Sequence, residues 1–253
     1  MMDRPSAGEP VHLLWTGGWD SSYRLLHLMH RTQAVVQPWY VIDEMRASIH
    51  REVDAMRRIR AGLAARDASF AARMLPTRFE ARENHDGDTP EIIEKFERVT
   101  KHIRLGVQYR YIARLAQNTG ARLELSVHDK HHGLGQLLAP HLVRVDTPYG
   151  PVLRLPADSD PTVELFRPFD FPILGLSKQE MGEAAARDGF GDLLELTWFC
   201  HTPRNGQPCG RCRPCQQVIQ GDMHRRMPVT SRVLGQLRYW RRGIKSMLVG
   251  RPV

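Results

Sequence analysis

The sequence predicts a doubly wound α/β protein built on a mostly parallel sheet, with a C-terminal four-cysteine knuckle and a basic helical tail. Three observations carry this expectation. Short apolar runs alternate with longer segments of three-to-four apolar spacing, the pattern of strand and covering helix in a parallel sheet. All four cysteines fall within 16 residues, and the 199 residues before them contain none. Charge is uneven: residues 204–253 hold 11 Lys and Arg against one acid, while the preceding 203 hold 25 against 27.

Taken in order, residues 11–15 (VHLLW) are a short apolar strand candidate. A Gly-Gly turn follows, then a helix over about residues 21–30 with Leu25, Leu26 and Met29 on its inner face. Residues 34–42 (AVVQPWYVI) read as the second strand. Residues 48–74 read as helical, with Ile49, Val53, Met56, Ile59 and Leu63 on one face. A weak third strand is expected at Arg78–Ala81, and a long helix within residues 88–117 that opens near Thr89-Pro90-Glu91 and ends before Asn118 and Gly120. Residues 123–127 supply the next strand. Two β-like runs around Thr147-Pro148-Tyr149-Gly150 predict a hairpin inserted at about residues 142–155, placed to act as a lid or substrate loop. Ser177 with Glu180 three residues on is a capping box that opens a late helix. Residues 1–190 are thus expected as the α/β domain, and residues 191–253 as knuckle and tail. In the tail Val233, Leu237, Trp240, Ile244 and Met247 form an apolar stripe among Arg232, Arg238, Arg241, Arg242 and Lys245. That stripe suits a helix docked on the body or on a second copy in a homodimer, with RNA or a membrane surface as the other readings.

A chain of 253 residues with 42% apolar and 25% charged content can bury a sizeable core, which excludes disordered, collagen-like and fibrous classes. No apolar run approaches the roughly 20 residues that span a bilayer. The first ten residues are polar and lack the basic and long apolar regions of a secretory signal, so a cytoplasmic protein is expected.

Chemistry concentrates in Trp15-Thr16-Gly17-Gly18-Trp19-Asp20-Ser21-Ser22, between the first strand and the first helix. Two glycines allow a sharp turn whose N–H groups approach an anion, the helix start adds its positive dipole end, and Thr16, Ser21 and Ser22 offer hydroxyls. No Gly-Lys-Ser/Thr ends the segment, so it is not the mononucleotide P-loop, nor is it the Gly-x-Gly-x-x-Gly turn. The same residues also suit a plain glycine turn with Asp20 and Ser21 capping the helix. His128, Asp129, His131 and His132 follow a strand end, where an α/β site would lie, and read as substrate contacts or proton carriers, or as plain surface.

Cys200, Cys209, Cys212 and Cys215, with Gly206, Pro208, Gly210 and Pro214 as turn formers, fit a tetrahedral four-thiolate Zn²⁺ site of structural type. An iron–sulfur cluster uses the same ligands. Arg204, Arg211 and Arg213 beside them suit an anionic substrate or nucleic acid, or are solvated charge.

The glycine octet resembles the PP-loop ATP pyrophosphatases, whose signature is Ser-Gly-Gly-x-Asp-Ser; Thr16 stands where that family usually has serine. The segment from Thr197-Trp198-Phe199-Cys200 to Cys209-Gly210-Arg211-Cys212-Arg213-Pro214-Cys215 is similar to the zinc motif of one branch, the 7-cyano-7-deazaguanine synthases (QueC). Pro168-Phe169 and Leu176-Ser177-Lys178-Gln179-Glu180 resemble the same branch. The likeness covers residues 14–22 and 166–215. Between them, Val127-His128-Asp129-Lys130-His131-His132-Gly133-Leu134 stands where the branch has Tyr-Pro-Asp-Cys, and no arginine occurs among residues 216–220. The resemblance implies an adenine nucleotide alpha hydrolase fold, Rossmann-like, that uses ATP, Mg²⁺ and a structural Zn²⁺. Trp15 to Ser22 would hold the nucleotide, Asp20, Ser21 and Lys178 would serve catalysis, and His128, Asp129, His131, His132 and Arg204 would meet the substrate. The implied reaction adenylates a carboxylate such as 7-carboxy-7-deazaguanine, then uses ammonia to form an amide and, with a second ATP, a nitrile. The other expectations are the same adenylation with a protein or tRNA acceptor, or a non-catalytic nucleotide-binding module.

Overall fold

Five parallel strands form the centre of the computed structural model, which describes residues 8–85, 89–221 and 223–237. In chain order the strands are β1 (Val11–Leu14), β2 (Val36–Ile42), β3 (Arg78–Ala81), β4 (Leu123–Glu124), β5 (Val143–Thr147), β6 (Gly150–Arg154) and β7 (Phe169–Phe171). They lie in the order β3-β2-β1-β4-β7-β6-β5. The chain therefore builds outward in one direction from β1 and then in the other from β4, and the crevice above this reversal is where open α/β sheets bind ligands.

Alternating side chains make the sheet two-faced. Leu13 joins the core under α1 (Trp19–Arg31), α2 (Ile49–Arg66), α7 (Lys178–Arg187) and α8 (Gly191–Glu195). Leu14 joins the opposite core, with Ile92 and Val99 of α4 (Pro90–Thr100) and Ile112 and Leu115 of α5 (Gln108–Thr119). The remaining helices are α3 (Ala68–Arg73), α6 (Gly133–Leu138) and α9 (Arg213–Gln220). Leu193 and Leu194 of α8 pack in the first core, so the C-terminal segment that gathers around the cysteines begins only after α8. Two buried bidentate ion pairs cross between elements. Arg24 of α1 donates to Glu124 of β4 at 2.7 and 2.6 Å, and Arg154 of β6 to Asp170 of β7 at 2.7 and 2.8 Å.

Several expected elements are cut differently. The helical stretch 48–74 breaks at Asp67, whose extended backbone ends α2 and whose carboxylate accepts from the Ser69 amide to start α3. The long helix expected within 88–117 is two helices, because Ile103 and Leu105 of the connection turn in to pack against the core; Asp88 lies outside the described residues. The hairpin is not a lid. β6 pairs antiparallel with β7, Arg154 opposite Asp170, so the hairpin extends the sheet at the edge remote from the β1/β4 crevice. The strand expected over 123–127 is regular only over Leu123–Glu124; Leu125 N–H still donates to the Asp170 carbonyl at 2.8 Å, and Val127 N–H turns back to the Leu125 carbonyl at 2.9 Å. The capping box at Ser177 and Glu180 forms as expected. Residues 229–237 are helical, with Val233 and Leu237 exposed; Arg238, Trp240, Arg241, Arg242, Ile244, Lys245 and Met247 lie outside the described residues.

Candidate functional site

Residues 15–18 make the turn from β1 into α1 at the crevice. Gly17 has φ +65°, the left-handed region that disfavours side chains, and a Cβ there would lie 2.7 Å from the Glu52 carbonyl oxygen of α2. The glycine is thus demanded by close packing on α2 as well as by the turn. Gly18 is the N-cap of α1 and supplies no side-chain acceptor, so the first amides of this 13-residue helix are not capped by a side chain there. Thr16 and Ser21 flank these amides: the Thr16 N–H donates to Ser21 Oγ at 3.3 Å, and the two hydroxyls are 3.4 Å apart. Trp15 and Ser22 are placed otherwise. Both are buried, and the Trp15 indole donates to Ser22 Oγ at 2.9 Å, so their side chains brace the turn from the core side.

Asp20 gathers two partners from distant parts of the chain. Lys178 Nζ, at the start of α7, lies 2.6 Å from Asp20 Oδ1, and His128 Nδ1 lies 3.4 Å from Oδ2. Burial pushes the Asp20 carboxyl up, but the Lys178 charge and the His128 hydrogen bond outweigh it and hold the group below its usual value. Asp20 is therefore a carboxylate at neutral pH, with a cation and an imidazole locked onto the first turn of α1.

A cavity of about 200 Å³ opens beside this cluster, walled by Thr16, Asp20 and Ser21 on one side and by Trp39, Tyr40, Tyr111 and Ile112 on the other. Its aromatic wall suits a flat ring, and two of its lining residues, Trp19 and Ser126, have a buried polar atom without a hydrogen-bond partner among the described residues. Arg46, Gln108 and Ser126 also line it; none belongs to a sequence motif. Arg46 is aimed by Glu52, 3.5 Å away, whose buried carboxylate also accepts from Tyr40 Oη at 2.8 Å and Ser48 Oγ at 2.6 Å. Only the position of Tyr40 near the end of a predicted strand could have signalled this wall.

The substrate candidates separate. His128 reaches Asp20, whereas the Asp129 carboxylate is taken up by its own turn, accepting from the His131 amide at 2.9 Å and facing His132 Nδ1 at 3.1 Å. His131, His132 and Arg204 are exposed.

The sulfurs of Cys200, Cys209, Cys212 and Cys215 all lie within 4.8 Å of one another, a group able to hold a metal ion such as zinc. The Cys209–Cys215 and Cys200–Cys212 pairs are each 3.9 Å apart, close to the ~3.8 Å edge of a tetrahedron with 2.3 Å zinc–sulfur bonds. Backbone amides already point at the sulfurs: Cys209 N–H donates to Cys200 Sγ at 3.2 Å, and the Arg211 and Cys212 amides to Cys209 Sγ at 3.3 Å. The hydrogen bond shared by Cys200 and Cys212 pushes the Cys200 thiol up to about 12 and, with that of Cys215, holds Cys212 well below the usual thiol range. A divalent cation would take all four as thiolates.

Fold and site together define an α/β protein of Rossmann-like architecture, with a seven-stranded, mostly parallel sheet and a C-terminal cluster of four cysteines. No family model matches the chain, and no curated protein matches it. No helix among the described residues is long and apolar enough to cross a membrane.

Proposed function

We propose that this chain is an ATP-dependent adenylating enzyme of the PP-loop ATP pyrophosphatase type, with chemistry like that of the 7-cyano-7-deazaguanine synthases. The observation that carries the reading is the meeting of Lys178, Asp20 and His128 on the first turn of α1, directly after the Gly17-Gly18 turn and beside an aromatic-walled cavity. The base of ATP would enter the cavity and its phosphates would face the amides of the turn. A substrate carboxylate oxygen attacks the α-phosphorus, the bond from the α-phosphorus to the α–β bridging oxygen breaks, and pyrophosphate leaves with the electron pair. Ammonia then attacks the acyl carbon of the adenylate, loses a proton, and expels AMP to leave an amide. The amide oxygen then attacks the α-phosphorus of a second ATP, expelling pyrophosphate, and elimination of AMP with loss of the two amide N–H protons leaves a nitrile.

The residues present need only align the reactants and neutralise developing charge. The loop amides hold the leaving pyrophosphate, Lys178 adds a positive charge, and Asp20 keeps that lysine at the loop. Mg²⁺ bound with ATP would supply neutralisation of phosphate charge, and Asp20 is the carboxylate of the turn that could help hold it. His128 is placed to take the proton from the amine. Cys200, Cys209, Cys212 and Cys215 would hold a zinc ion with four thiolates, a ligand set that suits a structural role.

The test is release of AMP and pyrophosphate from Mg-ATP by the zinc-loaded protein, with 7-carboxy-7-deazaguanine and ammonium, beside Asp20→Ala. Substrate-dependent AMP that the variant loses is the expected result. Exposed Arg204 and Arg213 favour a second reading in which the acyl group passes to a protein or tRNA; AMP release that requires such an acceptor selects it. ATP binding with no AMP under either condition overturns both in favour of a non-catalytic nucleotide-binding module.

A further inference from the structure

The Gly17-Gly18 turn is held from outside as well as from within. Trp198, on the segment leading into Cys200, donates its backbone N–H to the Gly17 carbonyl at 2.9 Å. Two residues further along the turn, the ring of Trp19 lies under the guanidinium of Arg226, 5.0 Å from centroid to Cζ, and the ring of Phe199 lies 5.4 Å from the same carbon. Arg226 sits in a short 3₁₀ turn between Met223 and Met227, which pack in the apolar cluster around the cysteines. Its side chain is 6% exposed and held at two nitrogens: Nη2 donates to the Thr197 carbonyl at 2.6 Å and to Thr197 Oγ1 at 2.7 Å, and Nε lies 3.1 Å from Glu195 Oε2. A planar guanidinium fixed on three sides has one orientation, and the face it presents fixes the indole.

These contacts matter because the turn depends on a left-handed glycine, whose backbone has many other conformations open to it. Ordering it only when a ligand arrives would be charged against affinity, and ordering it beforehand removes that loss. We propose that Arg226 is a positioning residue for the anion-binding turn: it carries the rigidity of the four-cysteine knuckle to Trp19 and so keeps the first amides of α1 aligned for a polyphosphate. This rests on the nucleotide reading above. By linkage, the effect runs both ways, and a polyphosphate on the turn raises the knuckle's affinity for its metal.

The probe is inorganic pyrophosphate, titrated calorimetrically into the zinc-loaded full chain, its Arg226→Met and Arg226→Lys variants, and Thr197→Val. Arg226→Met should bind pyrophosphate about tenfold more weakly while keeping its zinc and its native circular dichroism. Arg226→Lys should recover part of the loss, since an ammonium can face Trp19 and Glu195 but lacks the fork that holds Thr197. Thr197→Val should fall on the same side by less. Equilibrium zinc affinity, read by competition with a chromogenic chelator and corrected for zinc bound by free pyrophosphate, should rise with pyrophosphate in the wild type but not in Arg226→Met. Equal pyrophosphate affinity in wild type and zinc-loaded Arg226→Met overturns this inference alone. A wild-type protein that binds no pyrophosphate overturns the nucleotide reading and this inference with it. If Arg226→Met fails to fold, Arg226→Lys and Thr197→Val are held to the same criterion.

Discussion

The cysteine knuckle and the glycine turn adjoin in space yet are assembled in opposite ways. All four sulfurs of the knuckle come from 16 consecutive residues, and its core is a small apolar cluster of Val218, Met227 and their neighbours. The glycine turn draws Lys178 from 158 residues away and His128 from the far end of β4, and it is braced by α2 and the sheet. A locally assembled site depends on what it binds, because so little else holds its chain together. A site assembled over long range depends on the fold, so its geometry survives without ligand.

That difference gives the largest expected effect. Chelating the metal, or replacing Cys200 with Ser, should melt the region around residues 198–227 while the α/β sheet keeps its structure, since structural zinc sites supply folding energy of roughly 10 kcal/mol or more. Amide hydrogen exchange resolves the two regions. Uniform loss of protection across both would show that they fold as one unit and would end the contrast.

Next in size is Lys178→Ala. Under the adenylation proposed above, removing one preorganised charge costs about 10²–10³ in turnover, and here it also leaves Asp20 without its cation. AMP release should fall by that amount while zinc content is unchanged. Unaltered turnover would place the chemistry away from α1.

How far each site could be read from the chain follows from the same locality. The knuckle was legible because thiol spacing alone brings four ligands round one ion, and the turn was legible because two glycines and a helix start are adjacent in sequence. Lys178 was found through a resemblance, not through any property of a lysine after a capping serine. Arg46, Tyr111 and Ser126 went unread because they line the cavity from different elements and carry no joint pattern. The same limit applied to the fold. Capping residues announced Ser177 correctly, but the break between α4 and α5 comes from Ile103 and Leu105 packing on the core, a tertiary effect that apolar periodicity does not record. The hairpin was recognised as a hairpin, yet only its pairing with β7 shows that it widens the sheet.

Gly17→Ala sharpens the contrast from the long-range side. A Cβ placed at φ +65° and 2.7 Å from the Glu52 carbonyl must shift the turn or α2, at a cost of about 2 kcal/mol. Global thermal stability should drop with the metal still bound. Were the variant as stable as wild type, the turn would not be braced by α2.

The smallest effect expected is the pH dependence that Asp20 gives to the long-range site. Its folded-state pKa is lowered, because Lys178 and His128 together outweigh burial, so the native state holds its proton less readily than the unfolded chain. The sign follows: the stabilisation is complete above the unfolded value of about 3.9 and is lost as pH falls through the lower folded value. Asp20→Asn removes the titrating group and also the charge that anchors Lys178. Thermal melts between about pH 6 and 3 should therefore converge, the variant being less stable at the upper end and nearly equal to wild type at the lower. A constant gap across the range would mean that Asp20 stabilises the turn by packing alone, and that Lys178 and His128 are neighbours without electrostatic consequence.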